Sequence, residues 1–396
     1  MPSAAESLFW ITLCAVLAPL LAGIVLRRRV PEVVLLLVLG VVIGPHVLDL
    51  AVTGDGVEML RELGLGMLFL LAGYEIEPAE LVGRGGRRAL TTWLACLGVA
   101  LGLIWLIGLS GQVTAEVAVA IALTSTALGT LLPILKDGRM LGTPFGRTLL
   151  HHGAYGELGP IVAMAVLLGT RGPVASLVVL VLFAVVALAV HRFGAALGRE
   201  GSRVLDAVRL GAETSGQTQV RLVVLLLVTL GLSAAAFDLD AVLGAFTAGF
   251  VLRQLVPAGH ESLEHKLEGL AFGLLIPVFF ITSGMAIDPH AVVEEPAALV
   301  VFVLLILVVR GGGVWLATGT GGFDRRERAA LALFGATGLP IIVAVTSVAV
   351  AAGEMTTTNA SVLVAGGAVT VLVCPLLAQR LLAARHPDRV SPTSTS

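Results

Sequence analysis

The chain has 396 residues, 57% of them apolar and only 13% charged, with a mean hydropathy of +0.98. A water-soluble protein has nowhere to hide that much apolar surface, so the surrounding solvent is expected to be lipid. The formal net charge of −2 argues against a nucleic-acid partner.

In chain order, hydropathy resolves into about thirteen spans of roughly 20 residues, the length that crosses ~30 Å of hydrocarbon as helix. They run near 8–27, 31–50, 56–77, 88–110, 114–135, 145–169, 172–197, 220–237, 239–256, 266–287, 296–318, 327–351 and 357–383. The expected fold class is an all-α polytopic membrane protein with about 13 transmembrane helices. The first span has Glu6 ahead of it and Arg27-Arg28-Arg29 behind it, the reverse of a cleaved signal peptide, so it is expected to be retained. Residues 1–385 read as the membrane domain and 386–396 as a short cytoplasmic tail.

Basic residues orient the spans. Of the 25 Lys and Arg, 22 fall on one set of alternate loops, from Arg27–Arg29 through Arg84, Arg87, Arg88 and Arg147 to Arg380, Arg385 and Arg389. The opposite side has only Arg171, and Arg61 and Arg310 lie within spans. The positive-inside rule then places the N-terminus outside and the C-terminus in the cytoplasm of an inner or plasma membrane, with an odd number of crossings.

Glu157 sits near the middle of the sixth span, in Tyr155-Gly156-Glu157-Leu158-Gly159-Pro160. A carboxylate at that depth costs roughly 2.5–3.5 kcal/mol on insertion scales, and such residues serve ion or proton traffic. The glycines allow another backbone to approach closely, and Pro160 frees a carbonyl one turn back. Arg310, in the eleventh span beside Gly311-Gly312-Gly313, is the second mid-span charge. It needs an acid, backbone carbonyls or helix C-terminal ends, and Glu157 is a candidate partner.

Two spans are weakened at their centres. The fifth carries Leu123-Thr124-Ser125-Thr126-Ala127-Leu128-Gly129-Thr130, and the twelfth Gly335-Ala336-Thr337-Gly338-Leu339-Pro340. Breaks are expected around Gly129 and around Gly338 and Pro340. Seven crossings apart, these spans point in opposite directions. Matched interrupted spans in inverted halves are the sequence pointer to a mid-membrane ion site. Thr124, Ser125 and Thr126 offer the hydroxyl oxygens that hard monovalent cations prefer, or they bond harmlessly back to helix carbonyls.

His151 and His152 lie toward the cytoplasmic end of the Glu157 span and titrate near pH 6.5, so they either modulate the site with pH or are simply solvated. A metal site built from them is not expected, because Glu157 is five and six residues away, off the i, i+4 ligand register. Cys14, Cys96 and Cys374 lack CxxC or Cys/His spacing and read as core residues. Glu58 and Arg61 are spaced to pair on one helix face. No cofactor and no enzymatic activity is expected.

The stretch Arg61-Glu62-Leu63-Gly64 through Phe69-Leu70-Leu71-Ala72-Gly73-Tyr74-Glu75 resembles the third-helix pattern of monovalent cation:proton antiporters of the second type, the Kef-type and sodium/proton exchanger superfamily. The likeness continues in Leu123–Ala127, Leu243-Gly244-Ala245-Phe246-Thr247-Ala248-Gly249-Phe250 and Pro277-Val278-Phe279-Phe280-Ile281-Thr282-Ser283-Gly284-Met285. The resemblance implies a homodimer with a dimerisation part and a mobile core, and two crossed, discontinuous helices in that core. It also implies a carboxylate after the first of those helices, here Glu157, and a basic residue before the second, here Arg310. Two departures stand out: glutamate replaces the family's aspartate, and Gly156 replaces a polar Gln, Asn or Asp. The expected function is exchange of H⁺ for Na⁺ or K⁺ by alternating access through one buried carboxylate. The alternative is a transporter of the same fold for another ion, such as an organic one, or a relative that does not exchange.

Overall fold

The computed structural model describes residues 2–25, 30–108, 115–168, 173–199, 217–255 and 261–383. Of the basic residues that orient the spans, Arg27–Arg29, Arg171, Arg385 and Arg389 lie outside these residues, as does the expected tail 386–396. Every regular element among the described residues is helical. Among the described residues, eight helices are long and apolar enough to cross a membrane, and Glu32–Ile43 and Ala241–Leu255 are shorter apolar ones. Asp55–Glu75 and Pro144–Leu167, of 21 and 24 residues, also exceed the length needed to cross ~30 Å of hydrocarbon. Their polar content, including Glu58, Arg61 and Glu157, keeps them outside the apolar set.

Contacts divide the chain into two compact units. The first comprises Met1–Pro78, Leu158–Ala291 and Val343–Ser361. Its tightest packing joins Asp55–Glu75 to Ala241–Leu255, helices that both belong to the stretches carrying the family resemblance. A Cβ on Gly73 would strike the carbonyl of Phe246, and one on Gly249 the carbonyl of Leu70. Backbones this close gain van der Waals contact that larger side chains forbid, which is how helices associate in lipid. At one end of the pair Arg253 reaches Glu77 at 2.6 Å and lies 5.3 Å from the Tyr74 ring centre. Glu58 and Arg61 pair at 2.9 Å, as their spacing predicts.

The second unit comprises Ala79–Glu157, Val292–Ile342 and Val362–Ser396, and every candidate site residue lies in it. Its apolar core centres on Leu131, Leu135, Leu149, Leu331 and Phe334, with Phe145 and Phe334 edge to face at 6.3 Å. Both weakened spans are broken. The fifth resolves into Glu116–Ala122 and Leu128–Asp137, the twelfth into Arg325–Gly335 and Leu339–Ala351. Asp324 starts Arg325–Gly335 with a capping box, accepting from the amides of Arg326 and Glu327 at 2.8 Å.

The breaks sit slightly upstream of where Gly129 and Pro340 would put them. Residues 125–127 lie outside any helix, with Ala127 extended, and Gly129 is already the second residue of a half-helix. Gly338 is in the second break, whereas Pro340 is the second residue of Leu339–Ala351. A proline there loses no intrahelical hydrogen bond, because the first-turn amides have no partner in the helix anyway.

Candidate functional site

The sequence around each break leaves backbone groups without helical partners, and because both breaks are buried these groups must find others. They find each other. The Ala127 amide donates to the Thr337 carbonyl at 2.5 Å, so one break closes directly on the other. Thr126 Oγ1 donates to the Gly335 carbonyl, the last residue of its half-helix, at 2.5 Å. The Cβ position of Gly338 is filled by the Ser125 side chain, so only glycine fits there.

A third element joins them. The Thr126 amide donates to the Gly156 carbonyl at 2.8 Å. That carbonyl is available because Pro160, four residues on, has no N–H to offer it. The proline thus turns an intrahelical bond into a tie between the Glu157 helix and the first break. Glu157 itself is buried, with 4% of its surface exposed.

Arg310 completes the cluster. It lies in a five-residue π turn, Leu307–Gly311, that interrupts an otherwise apolar helix, and it is fully buried. Single π turns of this kind occur frequently at functional sites. Its Nε donates to Thr126 Oγ1 at 2.9 Å and its Nη2 to the His152 carbonyl at 2.6 Å. Nη1 has no hydrogen-bond partner among the described residues. The guanidinium packs against Gly156: a Cβ on that glycine would collide with Arg310 Nη2 and come within 2.5 Å of Thr126 Cβ and Oγ1. Gly156 therefore leaves the space that the arginine fills. Cys96 Sγ meets the Val309 carbonyl at 3.3 Å, consistent with its expected core role.

The structure brings together Thr126, Arg310, Gly338 and the residue preceding Glu157. It gives the three hydroxyls different work. Thr126 Oγ1 is committed on both sides, donating to Gly335 and accepting from Arg310. Thr124 donates to the Ile121 carbonyl and Ser125 to the Ala122 carbonyl, both at 2.8 Å, and Ser125 Oγ also lies 3.4 Å from the Gly338 carbonyl. The histidines diverge. His151 Nδ1 meets the Glu80 carbonyl at 2.8 Å, next to a Tyr155 hydroxyl that donates to Leu81 at 2.9 Å. His152 is buried behind Arg310. Among the described residues no group of three His, Cys, Asp or Glu could hold a metal ion.

Some parts of this cluster leave little trace in the sequence. The carbonyls of Gly335 and Thr337 act through their backbone, so residue type does not reveal them. Tyr155, by contrast, is one of only two tyrosines in the chain, and it flanks Glu157.

The family model described as "Sodium/hydrogen exchanger, transmembrane" matches residues 12–384. Among curated proteins, the chain is 30% identical over 321 residues to the glutathione-regulated potassium-efflux system protein KefC of Klebsiella pneumoniae (strain 342), covering 78% of this chain and 50% of that protein. It is 26% identical over 318 residues to the putative Na(+)/H(+) antiporter YjbQ of Bacillus subtilis (strain 168), covering 76% and 51%. The chain thus spans about half the length of the curated relatives it matches. Among solved structures, the sodium proton antiporter MjNhaP1 of Methanocaldococcus jannaschii at pH 8 aligns over 95% of this chain and 98% of its own. The TM-score is 0.62 at 19% identity, a likeness of fold. A second structure of the same protein, an electron-microscopy map, covers 98% and 100% with a TM-score of 0.65 at 18% identity. With a family model spanning nearly its whole length, the chain belongs to the sodium/hydrogen exchanger transmembrane family.

Proposed function

We propose that this protein is a secondary active antiporter that exchanges protons for a monovalent cation, Na⁺ or K⁺, with Glu157 as the shared site. The observation that carries the reading is a buried carboxylate whose own helix is hydrogen-bonded, through Gly156, to the first of two interlocked helix breaks. Glu157 holds either a proton or the cation. Thr124 and Ser125 lend oxygen ligands. Thr126 links both breaks to Arg310, which brings a permanent positive charge to the cluster.

Alternating access then exposes the loaded site to each side in turn. Membership of the exchanger family supports this reading, as do relatives whose names are a potassium-efflux protein and a putative Na(+)/H(+) antiporter. In the same proposal the protein works as a homodimer in the cell membrane, with its N-terminus outside and its C-terminus in the cytoplasm.

The test is Glu157→Gln in everted membrane vesicles. We expect cation-driven proton movement to fall to background while the variant stays folded and inserted. Full transport by that variant would remove Glu157 from the mechanism.

A further inference from the structure

The second unit contains a cavity of about 330 Å³ that the exchange reading does not use. Three arginines line it, Arg84, Arg88 and Arg147, together with Thr148, His151 and His152. None of its lining residues is Asp or Glu. Arg88 is anchored by donating to Thr320 Oγ1. The three guanidiniums are solvent-exposed, so water screens their repulsion, and together they give the cavity a net positive field that attracts anions.

Two further features of the walls favour an anion. Gly83–Gly108 and Pro144–Leu167, helices of 26 and 24 residues, both present their N-terminal turns to the cavity, through Arg84 and Gly85 and through Pro144, Arg147 and Thr148. Helix N-termini carry about half a positive charge, which suits phosphate or carboxylate, although the Gly146 and Arg147 amides of the second helix are already taken by Thr143. Deeper in, His152 lines the cavity with only 3% of its surface exposed. Its Nδ1 has no hydrogen-bond partner among the described residues. A buried polar atom without a partner, on a residue that lines the basic cavity, is a second mark of a binding site.

We propose that this cavity is a binding site for a phosphate-bearing anion of the phosphate-ester class, held by Arg84, Arg88 and Arg147 with His152 at its inner end. Planar guanidiniums match phosphate oxygens in pairs, so arginine suits phosphate better than lysine would. Pro144, Ala317 and Phe323 give the same cavity an apolar wall, which suits an ester's carbon skeleton more than a bare inorganic ion. The volume is at the small end of the range for small-molecule pockets. The ester comes either from a lipid headgroup or from a soluble phosphorylated metabolite.

The site is independent of transport but close to it. His152 is its inner wall, and the carbonyl of that residue holds Arg310. A bound anion would therefore sit one residue from the cluster around Glu157 without touching the carboxylate.

The test uses the full chain in nanodiscs of pure phosphatidylcholine, titrated with glycerol 3-phosphate and compared with chloride at equal ionic strength. We expect a specific rise in unfolding temperature of about 3 °C at ligand roughly 100-fold above Kd. The double variant Arg84→Gln/Arg147→Gln should bind at least about tenfold more weakly, since each lost charge-assisted bond is worth that much. Arg147→Gln alone makes the same comparison if the double variant does not purify. Glu157→Gln should bind as the unmodified protein does, which separates this proposal from the transport reading. Parallel nanodiscs containing phosphatidylglycerol identify the source: if the lipid supplies the ester, they are already stabilised and glycerol 3-phosphate adds nothing. No specific stabilisation in either nanodisc would overturn the proposal, and so would undiminished binding by the arginine variants.

Discussion

Replacing Gly156 with alanine should destabilise the protein, even though alanine is the better helix former. Inside the Pro144–Leu167 helix, intrinsic propensity favours alanine by about 1 kcal/mol. The added methyl, however, lands on Arg310 Nη2 and within 2.5 Å of Thr126 Cβ and Oγ1. Thr126 cannot yield, because its amide holds Gly156 and its hydroxyl holds Gly335. Arg310 must move instead, giving up its bond to the His152 carbonyl or to Thr126. A hydrogen bond from a charged group is worth about 1.5–3 kcal/mol, and overpacking adds about 1–3. After subtracting the propensity gain, the net cost is about 2–5 kcal/mol, or a fall of about 2–6 °C in unfolding temperature for a chain this long. Thermal unfolding of the purified protein measures it, with Gly98→Ala as an internal control. Nothing lies within 4 Å of a Cβ at Gly98, so that substitution should be neutral or slightly stabilising. If Gly156→Ala matched or exceeded the unmodified protein in stability and transport, the packing of Arg310 on Gly156 would be refuted.

The hydroxyls of the first break should separate by role. Thr126→Val strands both the Gly335 carbonyl and Arg310 Nε and should cost about 2–4 kcal/mol of stability. Ser125→Ala should leave thermal stability nearly unchanged and weaken the apparent cation affinity, a contrast that unfolding and cation-titration assays read together. With one carboxylate, Glu157, proposed as the shared site, exchange should be one proton for one monovalent cation. Proteoliposome currents that scale with membrane potential would contradict that stoichiometry.

The breaks were legible because they depend on residue chemistry: Thr124-Ser125-Thr126 and Gly338-Leu339-Pro340 cannot continue a helix cheaply in lipid. Their limits were less so. Gly129 and Pro340 are tolerated at the start of a half-helix, so they mark the vicinity of a break and not its position. Pro160 gave a sharper signal, since its missing N–H pointed to the carbonyl of Gly156 that Thr126 uses. The π turn around Arg310 left no comparable mark, because extra backbone in a helix depends on what the side chain must reach. Likewise Arg84, Arg88 and Arg147 looked like loop charges that set orientation. Only folding shows that they share a cavity. The glycines at 73 and 249 carried the family resemblance, yet their work is packing between helices, not ion chemistry.

The interlocked breaks have one energetic consequence. Thr126 holds three different elements at once, through bonds to Gly156, Gly335 and Arg310. Groups wired this way do not contribute independently: once Arg310 has lost its place, Thr126 has less left to lose. Damage at the two positions should therefore count largely once, and the cluster behaves as a single cooperative unit.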